Sequence, residues 1–134
     1  MMPLTNRTDI RTGRLATVRL GPNQDLVEGL QQAAAELGFE RALVRSGLGS
    51  LNDAVIENAE GRTKVLQGPA VEILTLSGEI ALADDAASVG VSGVVGETTG
   101  AVWAGRFTPG RNLICVTAEI VIEEIIESAE QHAA

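Results

Sequence analysis

The most informative part of the sequence is the stretch SVGVSGVVGETTGAVWAGRFTPGR, residues 88–111. Two largely apolar segments, 88–95 and 101–107, flank the sequence ETTG at 97–100. Apolar runs joined by a short turn that contains glycine are typical of a β-hairpin. The stretch therefore predicts two adjacent antiparallel strands, the second of which ends at Arg106 and Phe107.

Further strands are predicted on both sides of this hairpin. Chain-breaking or polar residues separate apolar, β-branched segments at 14–20, 42–46, 54–57, 71–77 and 112–122. In the last of these, every second residue is apolar, which predicts one buried face made of Ile114, Val116, Ala118, Ile120 and Ile122. Cys115 has β-branched neighbours and is interpreted as a small core residue.

One interior helix is predicted at 24–37, where apolar residues recur at helical spacing. Asp25 followed by Glu28 predicts a capping box at its start, and Gly38 predicts its end. A second, short helix or a tail is predicted at 125–134 from Ile125, Ile126 and Ala129. With a flexible segment at 1–13 and one domain at 14–124, the fold class is α+β, with a mostly antiparallel sheet of about seven strands.

Composition excludes several classes of function. The 134 residues suffice for one domain, and the formal net charge of −8 opposes binding to DNA or to an anionic membrane. A basic patch formed by Arg7, Arg11, Arg14 and Arg19 is the alternative, but a solvated N-terminus is favoured. A single cysteine, no apolar run long enough to span a membrane and no signal-peptide core predict a cytoplasmic protein without disulfides.

Four pieces in order resemble the plants-and-prokaryotes conserved domain family, whose members are often described as DNA-binding proteins. They are VRLGPNQDL at 18–26, ALVRSGLGSL at 42–51, EILTLSGEI at 72–80 and TAEIVI at 117–122. The resemblance covers roughly residues 14–124. It implies a homotrimer of a small antiparallel-sheet domain with one main helix, similar to the fold of acetolactate decarboxylases.

The family pattern includes a His-x-His pair and a Gly-Gly-His, three imidazoles that suit zinc. In this chain the corresponding positions are Gly90, Ser92 and Arg106, and the only histidine is His132. Glycine offers no ligand, serine is a poor one and arginine is a cation. We therefore expect neither a metal of the family type nor another cofactor.

Arg106 is the leading candidate for a binding residue. It could bind a carboxylate or phosphate beside Ser92 through two hydrogen bonds, or form a structural ion pair with Glu119, Glu72 or Glu79. Glu119 and Glu72 are either ion-paired or pocket carboxylates. Trp103 is interpreted as a ligand shelf or a subunit contact.

A further segment, GLGS at 47–50, is interpreted as a tight turn or an anion-binding nest. No imidazole is placed to act as a base for the serines, which excludes a Ser-His mechanism.

The function predicted from these features is a non-catalytic, metal-free binding or regulatory module. It would hold a small anionic ligand at an intersubunit pocket lined by Arg106, Ser92, Trp103, Glu119 and Glu72. Two alternatives remain. One is DNA binding, although the chain lacks an AT-hook. The other is a divergent lyase-like enzyme that uses Glu119 or Glu72 instead of zinc.

Overall fold

A single eight-stranded antiparallel sheet, covered on one face by one helix, makes up the computed structural model. The structure describes residues 6–83 and 86–133, and side-chain surroundings for 8–82 and 87–126. The elements are β1 (Asn6–Leu20), α1 (Leu26–Leu37), β2 (Arg41–Leu51), β3 (Ala54–Glu57), β4 (Thr63–Leu66), β5 (Val71–Ala83), β6 (Ala86–Gly96), β7 (Val102–Phe107) and β8 (Ile114–Ala133). The strands follow the order β1-β8-β2-β5-β6-β7-β3-β4.

Helix α1 begins and ends where its capping residues predict. The Asp25 carboxylate accepts hydrogen bonds from the N–H groups of Val27 and Glu28, at 3.0 and 2.9 Å. Gly38 ends the helix with φ 76°, a left-handed conformation in which a Cβ is unfavourable. The buried stripe Leu26, Val27, Leu30 and Ala34 packs on the sheet, which confirms the predicted apolar face.

The core lies between α1 and the covered face of the sheet. This face carries fully or nearly fully buried residues from all eight strands, among them Val18, Leu20, Val44, Ile56, Leu66, Ile73, Ile80, Val91, Val95, Phe107, Ile120 and Ile122. Because side chains alternate along a strand, the residues between them point to the opposite, open face. Three exposed residues of that face, Leu48, Leu74 and Val102, form what we call the apolar patch.

A β-bulge in β5 contributes to this patch. The register against β6 shifts between Ile73 and Thr75, so that Leu74 and Thr75 are both exposed while Ile73 and Leu76 are both buried. The Thr75 hydroxyl accepts a hydrogen bond from the N–H of Val94 at 3.1 Å. The bulge therefore turns two consecutive side chains to the open face.

The two chain ends differ from the prediction. Residues 6–13, expected to be flexible, are part of β1, and residues 125–133, expected to form a tail or a short helix, extend β8. The two strands pair with each other from Asn6 opposite Ala133 to Leu20 opposite Ala118. Each strand finds its hydrogen-bond partner about a hundred or more residues away in the chain, and local sequence patterns do not reveal such a partner. Residues 1–5 and 134 lie outside the described part of the chain.

Other differences arise inside the sheet. Residues 47–50 continue β2 instead of forming a turn or a nest, and β4 was not predicted. Val116 is 63% exposed, although the alternation predicts a core residue. Opposite Gly49 and Leu51 the register of β8 shifts, so that Val116 bulges outward and Cys115 is only half-buried. The predicted hairpin across 97–100 is confirmed: the N–H of Glu97 donates to the carbonyl of Ala101 at 2.8 Å.

Candidate anion-binding site

Arg106 lies on the open face of the sheet, in register with two hydroxyl-bearing residues. It pairs with Ser92 of β6, which in turn pairs with Ser77 of β5. All three side chains are exposed. The predicted hairpin places Arg106 and Ser92 side by side because the register of β6 and β7 continues without interruption from Gly96–Val102 to Ser92–Arg106.

The guanidinium of Arg106 lies over Gly90. A Cβ built on Gly90 would be 3.6 Å from Nη2 of Arg106. Because glycine has no side chain, the space beside the guanidinium stays open. Gly90, Ser92 and Arg106, which the sequence resemblance aligned with the histidines of the family pattern, lie next to one another in the structure. Their side chains do not fit zinc, since they supply one hydroxyl and one cation.

In the described part of the chain, no three His, Cys, Asp or Glu residues are grouped in a way that could hold a metal ion. The side chain of His132 lies outside the described residues.

None of the described acidic side chains comes within 4 Å of the Arg106 guanidinium. The ion pairs considered from the sequence are therefore not formed. Glu119 pairs with Arg19 of β1, whose Nε donates to the carboxylate at 3.1 Å. Strands β2, β5 and β6 separate β8 from β7, a distance of about 19 Å at the usual strand spacing. Glu119 thus belongs to a different part of the sheet.

Arg106 borders a depression of about 680 Å³ on the open face. Polar residues from four neighbouring strands and a loop line it, namely Glu57, Asn58, Thr75, Ser77, Ser92 and Arg106. Guanidinium groups bind carboxylate or phosphate oxygens through two parallel hydrogen bonds, and nearby hydroxyls add further donors. The arrangement can therefore hold a small anion.

Besides Glu119, two more residues predicted for this site lie elsewhere. Trp103 pairs with the buried Val95, whereas Arg106 pairs with the exposed Ser92, so the two side chains point to opposite faces of β7. There, Nζ of Lys64 lies 4.3 Å from the centroid of the Trp103 ring. Glu72 lies on the open face in the row of Gly96 and Val102, about 13 Å along the strands from Arg106.

Glu72 instead lines a second depression, of about 590 Å³, together with Leu74, Glu97 and Val102. Leu74 also borders a third depression beside Leu48. The apolar patch thus extends from β2 to β7 along two neighbouring depressions, both of which Leu74 and Glu72 line. Glu57 and Asn58 were not predicted, because the sequence does not indicate that β3 pairs with β7.

The strand order, the single helix and the sequence can be compared with known proteins. The family model of the Plants and Prokaryotes Conserved (PCC) domain, which describes the family's sequences, matches residues 7–126 of the chain. The chain belongs to this family. The family resemblance and the fold class predicted from the sequence are thereby confirmed, with eight strands instead of about seven.

A curated relative of this PCC domain is the bifunctional protein GlmU of Synechococcus sp. (strain JA-3-3Ab). The two are 34% identical over 114 residues, which is 85% of this chain and 18% of that protein. The chain thus spans less than a fifth of the relative's length.

Solved structures share the fold of this PCC domain. A plant- and prokaryote-conserved protein of Pyrococcus horikoshii has a TM-score of 0.75 at 23% identity, covering 88% of this chain and 82% of its own. A metal-containing protein of Archaeoglobus fulgidus has a TM-score of 0.74 at 22% identity, covering 89% and 84%. A Bacteroides thetaiotaomicron protein provisionally described as DNA-binding has a TM-score of 0.73 at 18% identity, covering 92% and 86%.

Among the described residues of this PCC domain, no helix is both long and apolar enough to cross a membrane.

Proposed function

We propose that this PCC domain is a non-catalytic, metal-free binding module that holds a small anionic ligand in the depression beside Arg106 and Ser92. One observation carries the proposal: the exposed Arg106 guanidinium lies over Gly90, and no acidic side chain among the described residues is within 4 Å of it. A guanidinium remains charged at any physiological pH. Its charge is therefore available to a ligand instead of being neutralised within the domain.

The test is isothermal titration calorimetry with inorganic phosphate and with lactate. Arg106→Ala should weaken the binding of both by about tenfold or more, and Arg106→Lys should weaken it less, because lysine keeps the charge but loses the bidentate geometry. Arg41→Ala is the matched control. Arg41 is exposed on β2, so its removal changes the net charge equally. Equal affinities of Arg106→Ala and Arg41→Ala, or no binding to the wild-type protein, would contradict the proposal.

We further propose that the domain assembles as a homotrimer through the apolar patch. Leu48, Leu74 and Val102 are 65%, 47% and 60% exposed on a continuous sheet face, an arrangement that marks interaction surfaces. Val94 and Ala104 link this patch to the depression, which they also line. A second copy on the patch would therefore border the ligand, as expected for an intersubunit pocket.

DNA binding is the second candidate, because a structural neighbour carries that description. The described contacts oppose it. Arg19 is paired with Glu119, and Arg14 lies near Glu124, 3.6 Å from Nε to the carboxylate, while its guanidinium also contacts the ring of Phe39. Two of the four arginines of the predicted basic patch are therefore offset by acids. A fluorescence anisotropy titration with duplex DNA at low salt tests this candidate; saturable binding would support it.

A further inference from the structure

Glu57 and Arg106 carry opposite charges at directly paired positions, yet they do not form an ion pair. Glu57 of β3 is the register partner of Arg106 of β7. Opposite charges that face each other across two antiparallel strands normally attract and pair. In this structure no contact within 4 Å joins the two side chains.

The two charged groups extend in opposite directions. The guanidinium of Arg106 lies over Gly90 of β6, whereas Oε1 of Glu57 would be 3.9 Å from a Cβ built on Gly61, in the connection to β4. Among the described residues, no Lys or Arg side chain forms an ion pair with the Glu57 carboxylate within 4 Å. Both Glu57 and Arg106 line the same depression. A positively charged group and a negatively charged group that are not paired with each other therefore line one depression.

We infer that the depression selects small zwitterions, molecules that carry both a carboxylate and an ammonium group. This inference rests on the proposed anion site at Arg106 and adds the specificity of that site. The carboxylate binds the guanidinium of Arg106, with the hydroxyls of Ser92 and Ser77 beside it, and the ammonium group binds the carboxylate of Glu57. A ligand with both charges satisfies both groups, which a simple anion does not.

The experiment compares amino acids with hydroxy acids of the same length by calorimetry. The probes are glycine, β-alanine, γ-aminobutyrate and 5-aminopentanoate, each matched with the hydroxy acid in which a hydroxyl replaces the ammonium group. The series varies the separation of the two charges and so measures the span between Glu57 and Arg106. We expect at least one amino acid to bind about tenfold more tightly than its matched hydroxy acid.

Glu57→Gln and Glu79→Gln separate this role from a general effect of charge. Glu79 is also exposed and pairs with Gly90, but it does not line the depression. Glu57→Gln should abolish the preference for the amino acid and leave the binding of hydroxy acids equal or stronger, whereas Glu79→Gln should preserve the preference.

The outcomes distinguish the two proposals. If hydroxy acids bind in an Arg106-dependent manner and no amino acid is preferred, the anion site stands and the zwitterion inference is wrong. A preference that survives Glu57→Gln also overturns the inference. If neither class of probe binds, both proposals fail.

Discussion

Asn112 joins three separate segments of the chain from a completely buried position. Its side-chain oxygen accepts from the N–H of Val55 at 2.8 Å, and its amide nitrogen donates to the carbonyls of Val55 and Thr108 at 3.0 and 2.9 Å. Its own N–H donates to the carboxylate of Asp25 at 2.9 Å, next to the start of α1. Asn112 therefore connects β3, the residues after β7 and the first turn of the helix.

Asn112→Ala should lower the free energy of unfolding by about 3 kcal/mol, because it leaves buried backbone groups without hydrogen-bond partners. Asn52→Ala is the control. The side-chain amide of Asn52 makes one hydrogen bond, at 3.2 Å to Asn23, so this substitution should lower the free energy of unfolding by only about 0.5 kcal/mol. Urea denaturation of both variants gives the comparison. Equal losses would show that the buried network does not stabilise the fold.

Individual residues differ in how far their surroundings could be predicted. Arg106 and Ser92 lie side by side because a hairpin with a short turn fixes its own register. The pairing of Glu119 with an arginine was one of two interpretations, and the sequence could not identify Arg19 as that partner, since β1 and β8 lie at opposite ends of the chain. The side of β7 that Trp103 occupies follows from alternation only once Arg106 is known to be on the open face.

Among the elements, α1 follows its sequence closely. Its apolar stripe, its capping aspartate and its terminal glycine are all local signals, and local signals are sufficient for a helix whose hydrogen bonds lie within four residues. The strands were predicted where they alternate or are β-branched, and missed where polar residues pair with a distant partner, as in residues 6–13 of β1. Register shifts such as the one near Val116 change which side chains are buried, and nothing in the local alternation indicates them.

Gly38→Ala tests the end of α1. Because Gly38 has φ 76° and nothing lies within 4 Å of a Cβ built there, the cost should be purely conformational, about 1 kcal/mol of unfolding free energy. Gly21→Ala is the matched control: its φ lies outside the left-handed range and its nearest neighbour, Oε1 of Gln24, would be 3.7 Å away. The Gly21 variant should differ from wild type by less than about 0.5 kcal/mol. A neutral Gly38→Ala in thermal or urea denaturation would contradict the capping role.

At the scale of the whole molecule, the sheet has one face covered by α1 and one face that carries both the apolar patch and the charged depression. Burial of apolar side chains stabilises the covered face. On the open face, Leu74 is central to the apolar patch, because it lines both the second depression, which contains Val102, and the third depression, which contains Leu48. The composition alone could not separate core residues from surface residues in a chain so rich in valine, isoleucine and leucine.

Leu74→Glu should dissociate the proposed trimer and leave the fold intact, since Leu74 is 47% exposed in the single chain and a charge there would be buried only on association. Val65→Glu is the control, because Val65 is similarly exposed, at 52%, but lies on the edge strand β4. Size-exclusion chromatography with light scattering gives the mass of each variant, and circular dichroism monitors the fold. A wild-type monomer, or a Leu74→Glu variant with the mass of the wild-type assembly, would contradict an interface at the patch.

The position of the Arg106 guanidinium over Gly90 has a consequence for how the domain would respond to its surroundings. A positive charge supplied by a bound ion depends on the supply of that ion, and chelators or acid remove it. The charge of Arg106 is attached to the chain by covalent bonds and persists over the whole physiological pH range. Occupancy of the depression would therefore follow the concentration of the ligand and the ionic strength, and would be independent of whether a cell is starved of, or replete with, transition metals.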